Sequence, residues 1–182
     1  MWAERSTVRV NGKHMRNPQA GSFAMVERQW QPDDKVEINF PLKPRLTRGH
    51  NKSVTVERGP LIFSLAITEE WEKLRTRGMT ADWAVNPKSP WNYALAVNEH
   101  TVESALNVVE RSSGKDLFTL EGAPVHIQAK GKKISQWKEE DGVAAPIPES
   151  PVRSNEPVQT LKLVPYAAAK LRITAFPELL EK

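Results

Sequence analysis

Proline recurs fourteen times in 182 residues, and that frequency narrows what the chain can become. Each proline fixes φ near about −65° and removes a backbone donor, so it ends a helix and is tolerated in a sheet only at edges, first positions and bulges. Between prolines the apolar residues come in short runs of Val, Ile and Leu, many alternating with polar neighbours. Long apolar runs with a period of three to four are few. This pattern argues against a helical bundle and predicts an all-β chain, a jelly-roll-like β-sandwich with at most one or two short helices.

Val8 and Val10 alternate with Thr7 and Arg9, and Asn11-Gly12 follows as a hairpin turn. Phe23, Met25 and Val26 lead to Trp30. A turn at 31–34 then opens VEINF, in which Val36, Ile38 and Phe40 alternate, so a second hairpin is expected with those three on one face. Residues 41–51, PLKPRLTRGHN, read as a basic surface crossover and the first segment to be mobile. Val54 and Val56 mark another strand. LIFSLAI, at 61–67, is apolar nearly throughout and suits a central strand covered on both faces.

Thr68 stands where a helix cap would. Glu69, Glu70 and Glu72 would then fill the first turn and Arg75 and Arg77 the last, with Gly78 as the stop and Trp71 and Leu74 facing inward. YALAV reads as a strand, and 100–111 as a turn followed by a strand. Val125 and Ile127 alternate before Gly131, which with Lys130, Lys132 and Lys133 reads as a solvated hairpin turn to a partner strand at 134–137. A proline-punctuated return at 142–157 leads to VQTLKLVPY and KLRITAFP, expected to close the chain as a hairpin. Chain order suggests two lobes: residues 1–68 with 156–182, and an inserted second β lobe at 69–155. No internal repeat is visible.

One stretch concentrates aromatic surface. WAVNPKSPWNYAL, residues 83–95, packs Trp83, Trp91 and Tyr93 around Pro87 and Pro90, and so much apolar area predicts an ordered turn seated on a core.

Composition excludes several function classes. The net charge of +4 arises from 26 basic and 22 acidic residues in mixed order, a soluble surface without a nucleic-acid footprint. There is no cysteine, so disulfides, thiolate metal sites and cysteine nucleophiles are ruled out. No stretch of eighteen apolar residues argues for a membrane span. The chain reads as soluble, and the bacterial cytoplasm and periplasm are both open as locations.

For chemistry, His14, His50, His100 and His126 are far apart, with no HExxH or acidic calcium loop, so neither a metal site nor a cofactor is assigned. No GxSxG or phosphate-binding glycine loop occurs. Hydrolysis of a glycoside needs two suitably separated carboxylates. Glu69, Glu70, Glu72 and Asp82 lie nearest the aromatic stretch and are the catalytic candidates, against the alternative of a solvated face. Sugar binding needs exposed flat rings with amides beside them. Trp83, Trp91, Tyr93 and Trp137 with Asn92, and with Asn86 and Gln136 nearby, are the candidates, against the alternative that they are core. Trp2 and Trp30 read as packing residues.

Several phrases together resemble the C-terminal β-sandwich region of the bacterial β-L-arabinofuranosidase family, glycoside hydrolase family 127. They are WAERSTVRVNGK at 2–13, GSFAMVERQW at 21–30, ERGPLIFSLAI at 57–67, DWAVNPKSPWNYAL at 82–95, EGAPVHIQAKGKKISQW at 121–137 and LKLVPYAAAKLRITAFP at 161–177. They span nearly the whole chain in order, and the 82–95 phrase is the most specific.

The resemblance implies that catalysis belongs elsewhere. In the family the active site sits in an N-terminal (α/α)6 barrel with a cysteine nucleophile and a zinc held by cysteines and a glutamate, and no such residue transfers to a chain without cysteine. The match starts inside a strand, as a fragment or a shortened stand-alone gene would. The expectation is a non-catalytic accessory β-sandwich domain of a β-L-arabinofuranosidase-like glycoside hydrolase, structural or weakly carbohydrate-binding. The alternative is a small stand-alone glycosidase using carboxylates near Trp83 to Tyr93. The partners implied are a plant-type saccharide and either a catalytic barrel or a second copy of the chain through an exposed apolar patch. Nucleic acid and membrane are not among them.

Overall fold

The computed structural model describes residues 6–15, 17–19, 21–112 and 114–180. The chain is all-β, with fifteen strands and one four-residue α-helix, α1 (Val102–Ala105), among the described residues. It divides into two compact bodies, Met1–Lys43 and Pro44–Lys182.

In the first body β1 (Thr7–Val10) turns into β2 (Lys13–His14) through Asn11 and Gly12. Both turn residues have left-handed φ, 51° and 75°, the requirement of a two-residue turn whose twist matches its strands. The partner on the other edge of β1 is β3 (Val36–Asn39), antiparallel with Val8 opposite Ile38 and Val10 opposite Val36. The expected second hairpin from 23–30 is therefore not formed, because β3 pairs with the first strand. Asp34 ties the two turns together: it accepts from the Gln31 N–H at 2.8 Å, Asn11 Nδ2 at 2.6 Å and Arg28 at 3.0 Å. These donors, the Gln31 N–H foremost, hold its carboxyl below the ordinary value. Trp30 is half exposed, with the Arg28 guanidinium 5.4 Å from its ring centre, so it is not a core residue. Trp2 lies outside the described residues.

The second body begins with a meander, β4 (Pro44–Arg48), β5 (Val54–Arg58) and β6 (Leu61–Leu65). Residues 44–48 of the 41–51 segment thus form an edge strand in full register with β5, and Pro44 sits at its first position, where no ladder donor is needed. β7 (Glu69–Arg77) and β8 (Thr80–Pro87) form a separate two-stranded ribbon. Then come β9 (Tyr93–Leu95), β10 (Leu106–Glu110), β11 (Val125–Lys133), the short β12 (Glu139–Glu140) and β13 (Val143–Ala144), β14 (Gln159–Pro165) and β15 (Ala175–Phe176).

The main sheet runs β10-β11-β14-β6-β5 with β4 outermost. Two strands have a second neighbour on one edge. β11 pairs with β10 through Val125–Ala129 and then with β9 from Gly131 onward. β5 pairs with β15 at Val54 and Thr55 and with β6 at Glu57 and Arg58. Leu95 of β9 completes a circuit: its N–H donates to the Pro177 carbonyl, and its own carbonyl accepts from the Leu179 N–H, both at 2.9 Å. Hydrogen-bonded segments therefore lead from β5 through β6, β14, β11 and β9 and back to β5 by way of 175–179.

The core fills this curl. Val54, Val56, Phe63, Leu95, Ile127, Leu163 and Phe176 are fully buried together, each stabilising the fold by about 1.5–3 kcal/mol relative to exposure. A smaller cluster joins Ala94, Ile134, Trp137 and Val152. β6 is central as expected, but Leu61 and Ile62 are partly exposed and burial begins at Phe63. The terminal strands do not pair with each other: β14 lies between β11 and β6, while β15 pairs with β5. Gly131 is not in a turn but inside the nine-residue β11, so Lys130, Lys132 and Lys133 are strand residues. A Cβ at Gly131 would come within 2.5 Å of Leu161 Cδ1 and 2.7 Å of the Ala94 carbonyl oxygen, the close approach for which strand glycines are kept.

Candidate functional site

Residues 69–77 were expected as a helix and form a strand. Read with period two, EEWEKLRTR places Glu69, Trp71 and Lys73 on one face and Glu70 and Glu72 on the other. Its partner TADWAVNP supplies Trp83 opposite Lys73 and Val85 opposite Trp71. The cross-strand pairing of Trp with Val and of Lys with Trp holds a ribbon that the macrodipole pattern had suggested for a helix. Gly78, φ 57°, is the first of two turn residues between Arg77 and Thr80, as a tight hairpin requires. A bulge at Leu74 shifts the register between Lys73 and Arg75.

Among the described residues the resulting arm pairs with no other strand. One face is aromatic: Trp71 and Trp83, 50% and 49% exposed, meet edge to face with centroids 6.2 Å apart. Lys73 Nζ lies 5.6 Å from the Trp83 ring, and the Trp71 indole N–H donates to Glu69 at 2.9 Å. The opposite face is charged. There Asp82 accepts from Arg77 Nε at 2.8 Å and also pairs with Arg75. Trp71, expected to face inward, is instead half of an exposed ring pair. The missed signal was the alternation of residues 69–73 followed by a Gly-Met turn.

The four candidate carboxylates therefore share one ribbon, Glu69 beside the tryptophans and Glu70, Glu72 and Asp82 on the charged side. The aromatic candidates separate. Trp83 is exposed. Trp91 is half-buried and packs edge to face on Trp137 at 5.2 Å. Trp137 is buried, its indole N–H donating to the Ala145 carbonyl at 2.8 Å. Tyr93 is buried with its hydroxyl 3.1 Å from Gln159 Oε1, and burial raises its pKa. Asn92 donates through Nδ2 to the carbonyls of Ile134 and Trp137 at 2.9 and 2.8 Å, so its amide fixes a loop. A cleft of about 270 Å³ opens at the base of the arm between Val85, Asn86, Trp91, Glu139, Val143 and Arg172. Among the described residues no set of three His, Asp or Glu side chains is gathered to hold a metal.

The family described as "Beta-L-arabinofuranosidase, GH127 middle domain" matches residues 1–42. A solved structure titled as a GH127 β-arabinofuranosidase is similar over 95% of this chain, with 18% identity and a TM-score of 0.54. Residues 1–42 are thus related to the GH127 middle domain. The chain spans 23% of the length of that solved structure, and the likeness between the two is one of fold. A search of curated proteins returned no match. Among the described residues no helix is longer than four residues.

Proposed function

We propose that this chain is a non-catalytic accessory β domain of a β-L-arabinofuranosidase-like glycoside hydrolase, structural or weakly carbohydrate-binding. The observation that carries the reading is the placement of the candidate carboxylates. They stand on a ribbon open on both faces, and Asp82 is engaged by two guanidinium groups. Glycoside hydrolysis asks for an acid and a second carboxylate on either side of an enclosed bond. Trp71 and Trp83 support a role in contact, since exposed paired rings offer flat apolar area to a sugar or to a neighbouring domain.

The test is hydrolysis of aryl glycosides, including an aryl β-L-arabinofuranoside, by highly purified chain and by Glu69→Gln, Glu70→Gln, Glu72→Gln and Asp82→Asn. The expected result is no turnover by any of them. Turnover by the parent chain that disappears in one or two variants overturns the reading in favour of a stand-alone glycosidase.

A further inference from the structure

A cavity of about 630 Å³ opens in the second body between Lys132 on β11, residues 153–158, and Leu179 with Leu180. Hydrogen bonds hold its walls. The Leu179 N–H donates to the Leu95 carbonyl and the Leu180 N–H to the Val152 carbonyl, both at 2.9 Å, and the Val152 N–H donates to the Glu178 carbonyl at 2.8 Å. On the opposite side the Ser154 hydroxyl donates to the Lys133 carbonyl at 2.6 Å and accepts from the Glu156 N–H at 3.2 Å. Lys132 Nζ donates to the Ser154 carbonyl at 3.1 Å. The size falls among small-ligand sites, about 300–1,000 Å³, whose walls are usually preformed in this way.

The charge in the cavity is one-sided. Lys132 and Arg153 are cations, Asn155 adds an amide, and no Asp or Glu lines it among the described residues. Glu156 and Glu178, which flank the walls, are engaged elsewhere: Glu156 accepts from the Ser135 hydroxyl at 3.1 Å and Glu178 from Arg48 at 2.8 Å. The Arg153 guanidinium has neither an ion pair nor a hydrogen bond among the described residues. The rest of the wall is aliphatic, with Val158 and Leu180 57% and 42% exposed beside buried backbone ties and Leu179 between them and the sheet. An unneutralised guanidinium matches a carboxylate, which it can hold through two N–H donors. A neutral sugar would leave both cations unmatched, and no aromatic ring lines the cavity to stack on one.

We propose that this cavity binds a medium-chain carboxylate, its head group on Arg153 and Asn155 with Lys132 as the second positive charge, and its chain along Val158, Leu179 and Leu180. None of these residues belongs to the β7–β8 arm, so the site stands or falls apart from the accessory-domain role.

Calorimetric titration of the 182-residue chain with octanoate, followed in parallel by methyl NMR, tests it. The expected result is saturable one-to-one binding with a Kd below about 1 mM and shifts in the methyl signals of Val158, Leu179 and Leu180. Octanamide has the chain without the charge and inorganic phosphate the charge without the chain; each should bind at least about tenfold more weakly. Arg153→Gln should weaken octanoate binding at least about tenfold, and it should leave the melting temperature within about 1 °C because the side chain is exposed and unpartnered. Octanamide or phosphate binding as tightly as octanoate, parental affinity in Arg153→Gln, shifts confined to methyls elsewhere, or no binding at about 10 mM octanoate each overturns the proposal.

Discussion

Gly131→Ala isolates the closest approach in the main sheet. The added methyl carbon would sit 2.5 Å from Leu161 Cδ1 and 2.7 Å from the Ala94 carbonyl oxygen. Leu161 is buried and contributes to the core, so its rotamer has little room to change. The Ala94 carbonyl belongs to β9, whose pairing with β11 begins at Gly131 opposite Leu95. Relief therefore requires β9 to move away from β11 at the start of its ladder. Overpacking of this kind costs about 1–3 kcal/mol. Alanine gives back roughly 0.5–1 kcal/mol by restricting the unfolded chain. Because the immovable neighbour is backbone the cost falls at the upper end of that range, and the net loss is about 2 kcal/mol, which for a body of this size lowers Tm by roughly 4–8 °C. Urea unfolding followed by tryptophan fluorescence measures it. Gly114→Ala, where nothing lies within 4 Å and φ is ordinary, is the control and should be neutral. Adding Leu161→Val should recover part of the loss, with a coupling above about 0.5 kcal/mol. A Gly131→Ala chain as stable as its parent would refute the close-approach account of this glycine.

The exposed ring pair should matter little to stability: Trp71→Ala and Trp83→Ala each cost less than about 1 kcal/mol in urea unfolding, whereas Trp137→Ala costs about 3–5 kcal/mol because it empties the smaller core cluster. His126 is buried, and that burial, aided by the charges of Lys162 and Arg111, holds its pKa below the ordinary 6.5. The folded imidazole stays neutral where the unfolded one takes up a proton. Its contribution is therefore complete above pH 6.5 and is lost as pH falls from there towards the folded pKa, with a slope of at most about 1.4 kcal/mol per pH unit. His126→Gln should flatten that part of the stability profile, and an unchanged slope would assign the loss to other groups.

The all-β class was legible because proline spacing and period-two alternation act locally. Asn11-Gly12 announced its turn, and Val54, Val56 and Ile127 announced their inward faces. The failures share a physical cause. In residues 69–77 a cap residue, acids early and arginines late satisfy helix electrostatics, yet cross-strand pairing with 80–87 decides the outcome, and one strand cannot display its partner. Gly131 carries no mark that distinguishes a turn glycine from one reserved for a neighbouring backbone, since Leu161 and Ala94 are thirty or more residues away. At the arm, the sequence singled out Trp83 but could not separate it from Tyr93 and Trp137, whose burial depends on strands far along the chain.

The return of 175–179 to β5 sets a timetable for synthesis. Thr55 is made about 120 residues before its partner Ala175, which at ribosomal speeds of about 5–20 residues per second is an interval of roughly 6–24 s. From residue 63 to residue 163 of that interval Val54, Val56 and Phe63 have been made while Leu163 and Phe176, which share their core, have not. The nascent β4–β6 meander therefore stays sticky until synthesis has passed residue 179 and that segment has cleared the exit tunnel. A holdase that binds short apolar strands has its longest opportunity there, and translation that stalls before residue 175 leaves a product that cannot close.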